Sequence, residues 1–128
     1  MLITGGSGDT RCAEIYDPNT RKISRVGGLN TDHWGHTATL LEDGRVFIAG
    51  EQAGAAGSGR THAVAELYDP EKRSISPTGS LNIDRHGHTA TLLPDGQVLI
   101  TLGERTGTSG CSQGAEIYDS GVGRFDSI

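Results

Sequence analysis

The side chains of this sequence that could do chemistry are its histidines, cysteines, carboxylates and tyrosines, and the most suggestive pair is His33 and His36. Two imidazoles this close could share a metal ion with further ligands. However, His36 recurs as His88 in the same local sequence, whereas His33 is replaced by Arg85. We therefore expect His36 and His88 to be structural and to form hydrogen bonds inside their own repeat. We expect no catalytic residue, no metal ion and no cofactor.

The carboxylates and tyrosines recur in the same way, and a catalytic group rarely needs a copy in every repeat. We expect the aspartates to stabilise turns, the glutamates to lie on alternating strands, and the tyrosines to pack in the core with the hydroxyl on a polar neighbour. The recurring sets are Asp17, Asp69 and Asp119; Glu14, Glu66 and Glu116; and Tyr16, Tyr68 and Tyr118.

The two cysteines, Cys12 and Cys111, form no CxxC pair and lie almost a full chain apart. A disulfide would require two distant loops to meet within a narrow Cα separation. We expect free thiols, and the cysteines therefore leave the cellular compartment open.

An internal repeat underlies all of these recurrences. The sequence Ala-Glu-Ile-Tyr-Asp at residues 13–17 returns, with one conservative change, at 65–69 and again unchanged at 115–119. Residues 13–50 align with residues 65–102 without a gap, and 23 of the 38 positions are identical. Such a period near 50 residues indicates a repeat architecture.

The pattern of a complete repeat predicts four short antiparallel strands. Residues 36–41 alternate small or polar with apolar side chains and end at Asp43-Gly44, which predicts a two-residue hairpin leading into residues 46–48. A third strand over residues 63–68 ends at Asp69-Pro70, and a fourth lies near residue 75. No stretch has the apolar period of a helix, so the sequence predicts an all-β fold.

The combined pattern resembles the Kelch repeat of β-propeller proteins. The resemblance rests on the Gly-His-Thr-Ala opening strand, the Asp-Gly hairpin and the later Tyr-Asp-Pro, at residues 35–38, 43–44 and 68–70 in the second copy. It implies four-stranded antiparallel propeller blades: residues 1–28 as strands two to four of a partial blade, 29–80 as a complete blade and 81–128 as another.

The resemblance also has departures from the family pattern. The glycine pair after the second strand is Gly5-Gly6 in the first copy but Gly50-Glu51 and Leu102-Gly103 in the later ones. We expect the turn at that point to differ between copies, because glycine permits backbone angles that other residues resist.

About two and three-quarter blades, with eleven strands, fall short of the roughly four to eight blades that close a propeller ring. The chain is therefore expected to form one incomplete propeller domain. Two interpretations stay open: the chain is a fragment whose remaining blades lie elsewhere in a longer protein, or copies of it associate into a homo-oligomer that completes the ring.

Positions that vary inside a strict repeat are the best candidates for recognition. The connection before the first strand reads His33-Trp34 in one copy and Arg85-His86 in the next, and Kelch propellers place it on the same face as the loop between the second and third strands. We call this the loop face. Its candidate binding residues are His33, Trp34, Arg60, His62, Arg85, His86 and Arg105. The alternative for Trp34 is packing between blades.

Composition limits the partners. The formal net charge is −5, the basic residues form no stripe, and no apolar run approaches the 18 residues of a membrane helix. We therefore expect a soluble protein that binds neither nucleic acid nor membrane. The resemblance favours a non-enzymatic scaffold for a protein or carbohydrate ligand. The alternative is a fragment of a Kelch-fold enzyme, such as a galactose-oxidase-like carbohydrate oxidoreductase with copper, although no residue matches that site.

Overall fold

The structure of the chain is a computed structural model that describes residues 1–5, 11–52, 62–105 and 110–128. Within these ranges every regular element is a β-strand, which confirms the all-β prediction. The first sheet contains β1 (Leu2–Thr4), β2 (Cys12–Asp17) and β3 (Lys22–Gly28). The middle sheet contains β4 (Trp34–Leu40), β5 (Val46–Gln52), β6 (His62–Asp69) and β7 (Ser74–Thr78). The third sheet contains β8 (Thr89–Leu92), β9 (Val98–Thr101), β10 (Ala115–Asp119) and β11 (Arg124–Ser127).

The three sheets share one topology. In each of them, strands consecutive in the chain are neighbours and all pairs are antiparallel. The register is also shared, because the repeated glutamate always lies opposite an isoleucine: Ile3–Glu14, Ile48–Glu66 and Ile100–Glu116. These pairings define which positions of the three sheets are structurally equivalent.

The middle sheet is covered on both faces. Strand β5 alternates, so that Phe47 and Ala49 pack with Val98 and Tyr118 of the third sheet, whereas Ile48 packs against the first sheet. The ring of Phe47 stacks on that of Tyr118, with centroids 4.2 Å apart. Two separate hydrophobic clusters therefore hold three sheets face to face.

The hairpin that the Asp-Gly signal predicts is present, but its loop has three residues. Leu41 N donates to the carbonyl of Arg45, so that Glu42, Asp43 and Gly44 form the loop, and Gly44 has a φ of 85°. Glycine takes this left-handed conformation without the steric cost that other residues meet. The two-residue prediction was wrong by one residue, because the closing pair lies one position earlier than the alternation suggests.

The recurring aspartates stabilise the turn between the last two strands of each sheet, as predicted. The Oδ1 atom of Asp17 accepts a hydrogen bond from the backbone N–H of Asn19 at 2.9 Å. Asp69 and Asp119 accept the equivalent bonds from Glu71 and Gly121. The side chain thus satisfies a backbone donor that the turn leaves unpaired.

Both cysteines are free thiols, with Cys12 half-buried and Cys111 exposed. No helix able to cross a membrane occurs in the described ranges.

Candidate functional site

The loop face is assembled by pairings at one end of the sheets. Trp34 lies opposite Glu51, and Gln52 lies opposite His62. Beside the third sheet, the backbone of Glu104 forms isolated antiparallel β-bridges with His86 and with Cys111. The starts of the first strands therefore lie beside the loops between second and third strands. For Trp34 and His62 only the backbone is described, and Arg60 lies outside the described residues.

A buried carboxylate holds the segment that leads into the middle sheet. The side chain of Glu66, which is 1% exposed, accepts hydrogen bonds from the backbone and side chain of Asn30, from Thr31 and from His33. The His33 Nε2 to Glu66 Oε1 distance is 2.8 Å. Burial opposes the charged form of this carboxyl, but the hydrogen bonds from His33 and Asn30 outweigh it and lower the pKa of Glu66 to about 2.

An equivalent arrangement holds the segment that leads into the third sheet. Glu116, which is 0% exposed, accepts hydrogen bonds from the backbone and side chain of Asn82, from the N–H of Ile83 and from Arg85. Arg85 also donates to the carbonyls of Leu102 and Gly114 at 3.0 and 3.2 Å. The guanidinium thereby joins three segments at the loop face.

Two of the candidate binding residues of the loop face, His33 and Arg85, have buried side chains. His33 is 2% exposed and Arg85 is 0% exposed, because each side chain turns inward to a buried glutamate. A buried charge requires such a partner. Both side chains therefore form hydrogen bonds in the interior below the loop face, on the side away from solvent.

His36 and His88 form side-chain hydrogen bonds, as predicted, but these bonds join neighbouring sheets and not strands of one repeat. His36 Nε2 lies 2.9 Å from Thr4 Oγ1 of the first sheet, and His88 Nε2 lies 2.9 Å from Thr37 Oγ1 of the middle sheet. The difference arises because both rings lie between sheets. Burial, with a smaller effect of the charge on Arg85, lowers the pKa of His88 to about 4, and burial also lowers the pKa of His36.

The remaining described candidate residues of the third sheet, His86 and Arg105, are accessible. Arg105 is exposed, and His86 Nε2 lies 4.0 Å from Glu104 Oε2 with both side chains partly in solvent. Leu102 has a φ of 62° and is 59% exposed, an unusual conformation for a bulky residue. Leu102 occupies the position of Gly5, which also has a positive φ, of 90°, whereas β5 continues through the equivalent Gly50 to Gln52. The backbone at this point therefore differs in the middle sheet, as the departures from the repeat predicted.

A cavity of about 460 Å³ opens beside the first sheet, at the same loop face, and sequence reasoning did not find it. Its walls include Arg11, Cys12, Arg25 and the glycines before Leu29. Arg25 donates to Cys12 Sγ at 3.4 Å, and Arg11 lies 3.5 Å from Asp32. Two guanidinium groups favour an anionic group of a ligand.

One sequence signal could have identified this cavity. Arg25 lies opposite Glu14 in the register position that Pro77 occupies in the middle sheet and Ser127 in the third. The repeat therefore does not dictate arginine at this position.

A second cavity, of about 470 Å³, lies at the opposite end of the sheets, among the Asp-Gly turns. Three of its four acidic side chains already serve the turns: Asp43 accepts a hydrogen bond from Arg45, Asp95 from the N–H of Gln97, and Asp119 from that of Gly121. Among the described residues no three histidine, cysteine or carboxylate side chains are placed to hold a metal ion.

In comparisons with known proteins, the sequence matches no family model and no curated protein.

Proposed function

We propose that the chain is part of a Kelch-type β-propeller that acts as a non-enzymatic binding scaffold, with a protein or carbohydrate ligand at the loop face. In this proposal the three sheets are blades formed by residues 1–28, 29–80 and 81–128. The shared topology and register of the sheets support the assignment.

The proposal rests on a comparison of the aligned copies, which shows which positions keep the same residue and which change. The buried glutamate of the network recurs unchanged, as Glu66 and Glu116, which are 1% and 0% exposed. Positions at the loop face change: Trp34 aligns with His86, and Gly50 with the exposed Leu102. A rigid scaffold with its variation at one end is typical of recognition proteins.

The chemistry of the loop face indicates the kind of contact it can make. Arg11 and Arg25 supply positive charge to the cavity beside the first sheet, while His86, Glu104 and Arg105 supply polar groups at the third sheet. Arginine and histidine can bond the carboxylates of an acidic peptide or the hydroxyl groups of a sugar. The loop face therefore suits a polar ligand better than an apolar one.

The test begins by screening the full chain against a glycan array and a peptide library. The affinity for each hit is then measured for Arg25→Ala, His86→Ala and Arg105→Ala. We expect each loop-face substitution to weaken binding at least tenfold, as hot-spot residues do, without lowering the melting temperature. Glu42→Ala and Lys72→Ala, at exposed positions of the Asp-Gly turn end, are the matched controls and should leave the affinity unchanged.

Two results would overturn the proposal. The first is a screen in which neither library yields a saturable ligand. The second is a ligand whose affinity depends on Glu42 or Lys72 and not on the loop-face residues.

A further inference from the structure

A buried tyrosine occurs at the same position of two joints, where a joint is the interface between two neighbouring sheets. In the joint between the middle and third sheets, Tyr118 is 0% exposed and its hydroxyl lies 2.7 Å from Oγ1 of Thr78. In the joint between the first and middle sheets, Tyr68 is 3% exposed, but no described residue forms a hydrogen bond with its hydroxyl. Removing a hydroxyl from water without a partner is costly, so Tyr68 weakens its joint.

One difference between the copies of the repeat explains the missing bond. The alignment of residues 13–50 with residues 65–102 places Val26 at the position of Thr78. Val26 is 8% exposed and belongs to the same hydrophobic cluster as Tyr68. Valine has nearly the shape of threonine, but its side chain can neither donate nor accept a hydrogen bond. Val26 therefore cannot serve Tyr68 as Thr78 serves Tyr118.

The aromatic packing around the tyrosine also differs between the joints. The ring of Tyr118 stacks on that of Phe47 at 4.2 Å and lies 4.8 Å from that of Phe125. The register places Leu2 and Ile75 at the two equivalent positions of the other joint, and both side chains are only partly buried. Aromatic pairs at such distances add to the stability that burial alone provides. The joint between the first and middle sheets lacks this addition.

A repeated glycine shows how closely the sheets approach each other. A Cβ atom placed on Gly79 would lie 2.6 Å from the carbonyl oxygen of Gly123 and 3.2 Å from the ring of Phe125, both in the third sheet. Gly27 is the equivalent residue of the first sheet, and no described atom lies within 4 Å of the same position. At this point the joint between the first and middle sheets is the more open of the two.

One polar contact is common to both joints. His36 bonds to Thr4 across the joint between the first and middle sheets, and His88 bonds to Thr37 across the other, each at 2.9 Å. This contact therefore does not distinguish the joints. The difference between them lies with the tyrosine and its surroundings.

We propose that the joint between the first and middle sheets is a built-in opening point of the fold. While the rest of the chain stays folded, the first sheet separates from the middle sheet more readily than the third sheet does. Separation of the third sheet must break the bond between Tyr118 and Thr78, whereas separation of the first sheet returns the Tyr68 hydroxyl to water without breaking such a bond. Local opening uses the least stable contacts of a structure.

Opening of this joint also changes the loop face. Arg11 of the first sheet lies 3.5 Å from Asp32, on the segment that leads into the middle sheet. Separation of the two sheets breaks this ion pair and widens the loop face beside the first sheet, while the part beside the third sheet keeps its shape. The inference rests on the contacts inside the joints and does not depend on the proposed function.

Matched cysteines placed in the two joints test the proposal. Ile48 and Ile100 occupy the same register position and are each 0% exposed. Ile48→Cys and Ile100→Cys are made separately in the full chain with Cys12→Ser and Cys111→Ser, so that each protein has one thiol. Labelling by iodoacetamide without denaturant is followed by mass spectrometry. We expect Ile48→Cys to be labelled at least tenfold faster than Ile100→Cys.

Two further substitutions test the cause. Val26→Thr supplies the missing hydroxyl and should slow the labelling of Ile48→Cys about fivefold, the effect of one hydrogen bond of typical strength. It should leave the labelling of Ile100→Cys unchanged. Thr78→Val removes the hydroxyl from the other joint, so it should speed the labelling of Ile100→Cys by a similar factor and leave that of Ile48→Cys unchanged.

Three results would overturn the proposal. Equal labelling of the two thiols would mean that the sheets separate only when the whole chain unfolds. The others are faster labelling of Ile100→Cys, and labelling of Ile48→Cys that Val26→Thr does not slow. If loss of the isoleucine side chain prevents folding, Ala13→Cys and Ala65→Cys provide a second pair that adds one sulfur atom at positions 1% and 2% exposed, with the same expected order and the same contradicting results.

Discussion

The Nε2 atom of His33 lies 2.8 Å from Oε1 of Glu66, and both side chains are buried in the joint between the first and middle sheets. The equivalent joint between the middle and third sheets uses Arg85 and Glu116 at 3.2 Å. One scaffold position is thus filled by an imidazole in the middle sheet and by a guanidinium in the third.

This difference predicts unequal effects of removing the two carboxylates. Glu116→Gln leaves Arg85 charged and buried, so we expect a loss of about 3–5 kcal/mol in the free energy of unfolding. Glu66→Gln should cost less, about 1–3 kcal/mol at pH 7.5, because it removes hydrogen bonds without leaving a permanently charged guanidinium buried. Chemical denaturation at that pH measures both, and equal costs would contradict the argument. Replacing Arg85 and Glu116 together by Met and Leu should recover part of the loss.

Acid should weaken the joint that contains Glu66. Its pKa is about 2 in the folded chain against an ordinary 4.5, so the carboxylate stabilises the fold above pH 4.5, and this stabilisation is lost as the pH falls toward 2. We expect up to about 3 kcal/mol of the advantage of wild type over Glu66→Gln to disappear in this window. Urea denaturation at pH 5.5, 4, 3 and 2 checks it; a difference that does not change with pH would contradict it. His33→Gln removes one donor and should move the loss to higher pH.

His88 should make the fold sensitive to a different pH range. Because burial lowers its pKa from 6.5 to about 4, the unfolded chain takes up a proton between these values and the folded chain does not. Stability should therefore fall by up to about 3 kcal/mol as the pH drops from 6.5 to 4. His88→Gln should flatten this part of the pH profile. Thr37→Val removes the hydrogen bond but keeps the burial, so its slope should persist; a flat Thr37→Val profile would show that the bond is the cause.

Phe47 and Leu99 occupy equivalent positions of β5 and β9, and their different surroundings predict a contrast in packing energy. Phe47 is 0% exposed and stacked on Tyr118, whereas Leu99, at the equivalent position of β9, is only partly buried. We expect Phe47→Ala to lower the free energy of unfolding by about 3–5 kcal/mol and Leu99→Ala by less than about 2 kcal/mol. Thermal and urea denaturation of both variants test this. Comparable losses would mean that Leu99 is buried in solution.

Local patterns predicted much of the fold. Alternation and the Asp-Gly and Asp-Pro signals fixed the strands, and the aspartate turns follow from the tendency of a short carboxylate to accept backbone N–H bonds. The network around Glu66 could not be predicted in the same way. Period-two alternation places Glu66 and Tyr68 on one face of β6, but it does not say which sheet covers that face. The recurrence of Asn30 as Asn82 was the one signal of a partner.

The cavity at the first sheet was missed for a related reason. The pairing of β2 with β3 shifts register between Cys12 and Glu14, which brings Arg11 near the end of β3. A bulge of this kind depends on both strands at once, so neither strand's sequence predicts it alone. The hydrogen bond between His33 and Glu66 could not be predicted for a similar reason, because the two residues are 33 positions apart in the sequence.

The glutamate networks also have a direction along the chain. Each described side-chain or backbone donor to Glu66 and to Glu116 comes earlier in the sequence than the glutamate itself. During synthesis, which proceeds from the N-terminus, the ribosome releases the donors before it releases the acceptor. Each buried carboxylate therefore finds its partners already present when it emerges, and the polar interior of one sheet is completed without waiting for the next.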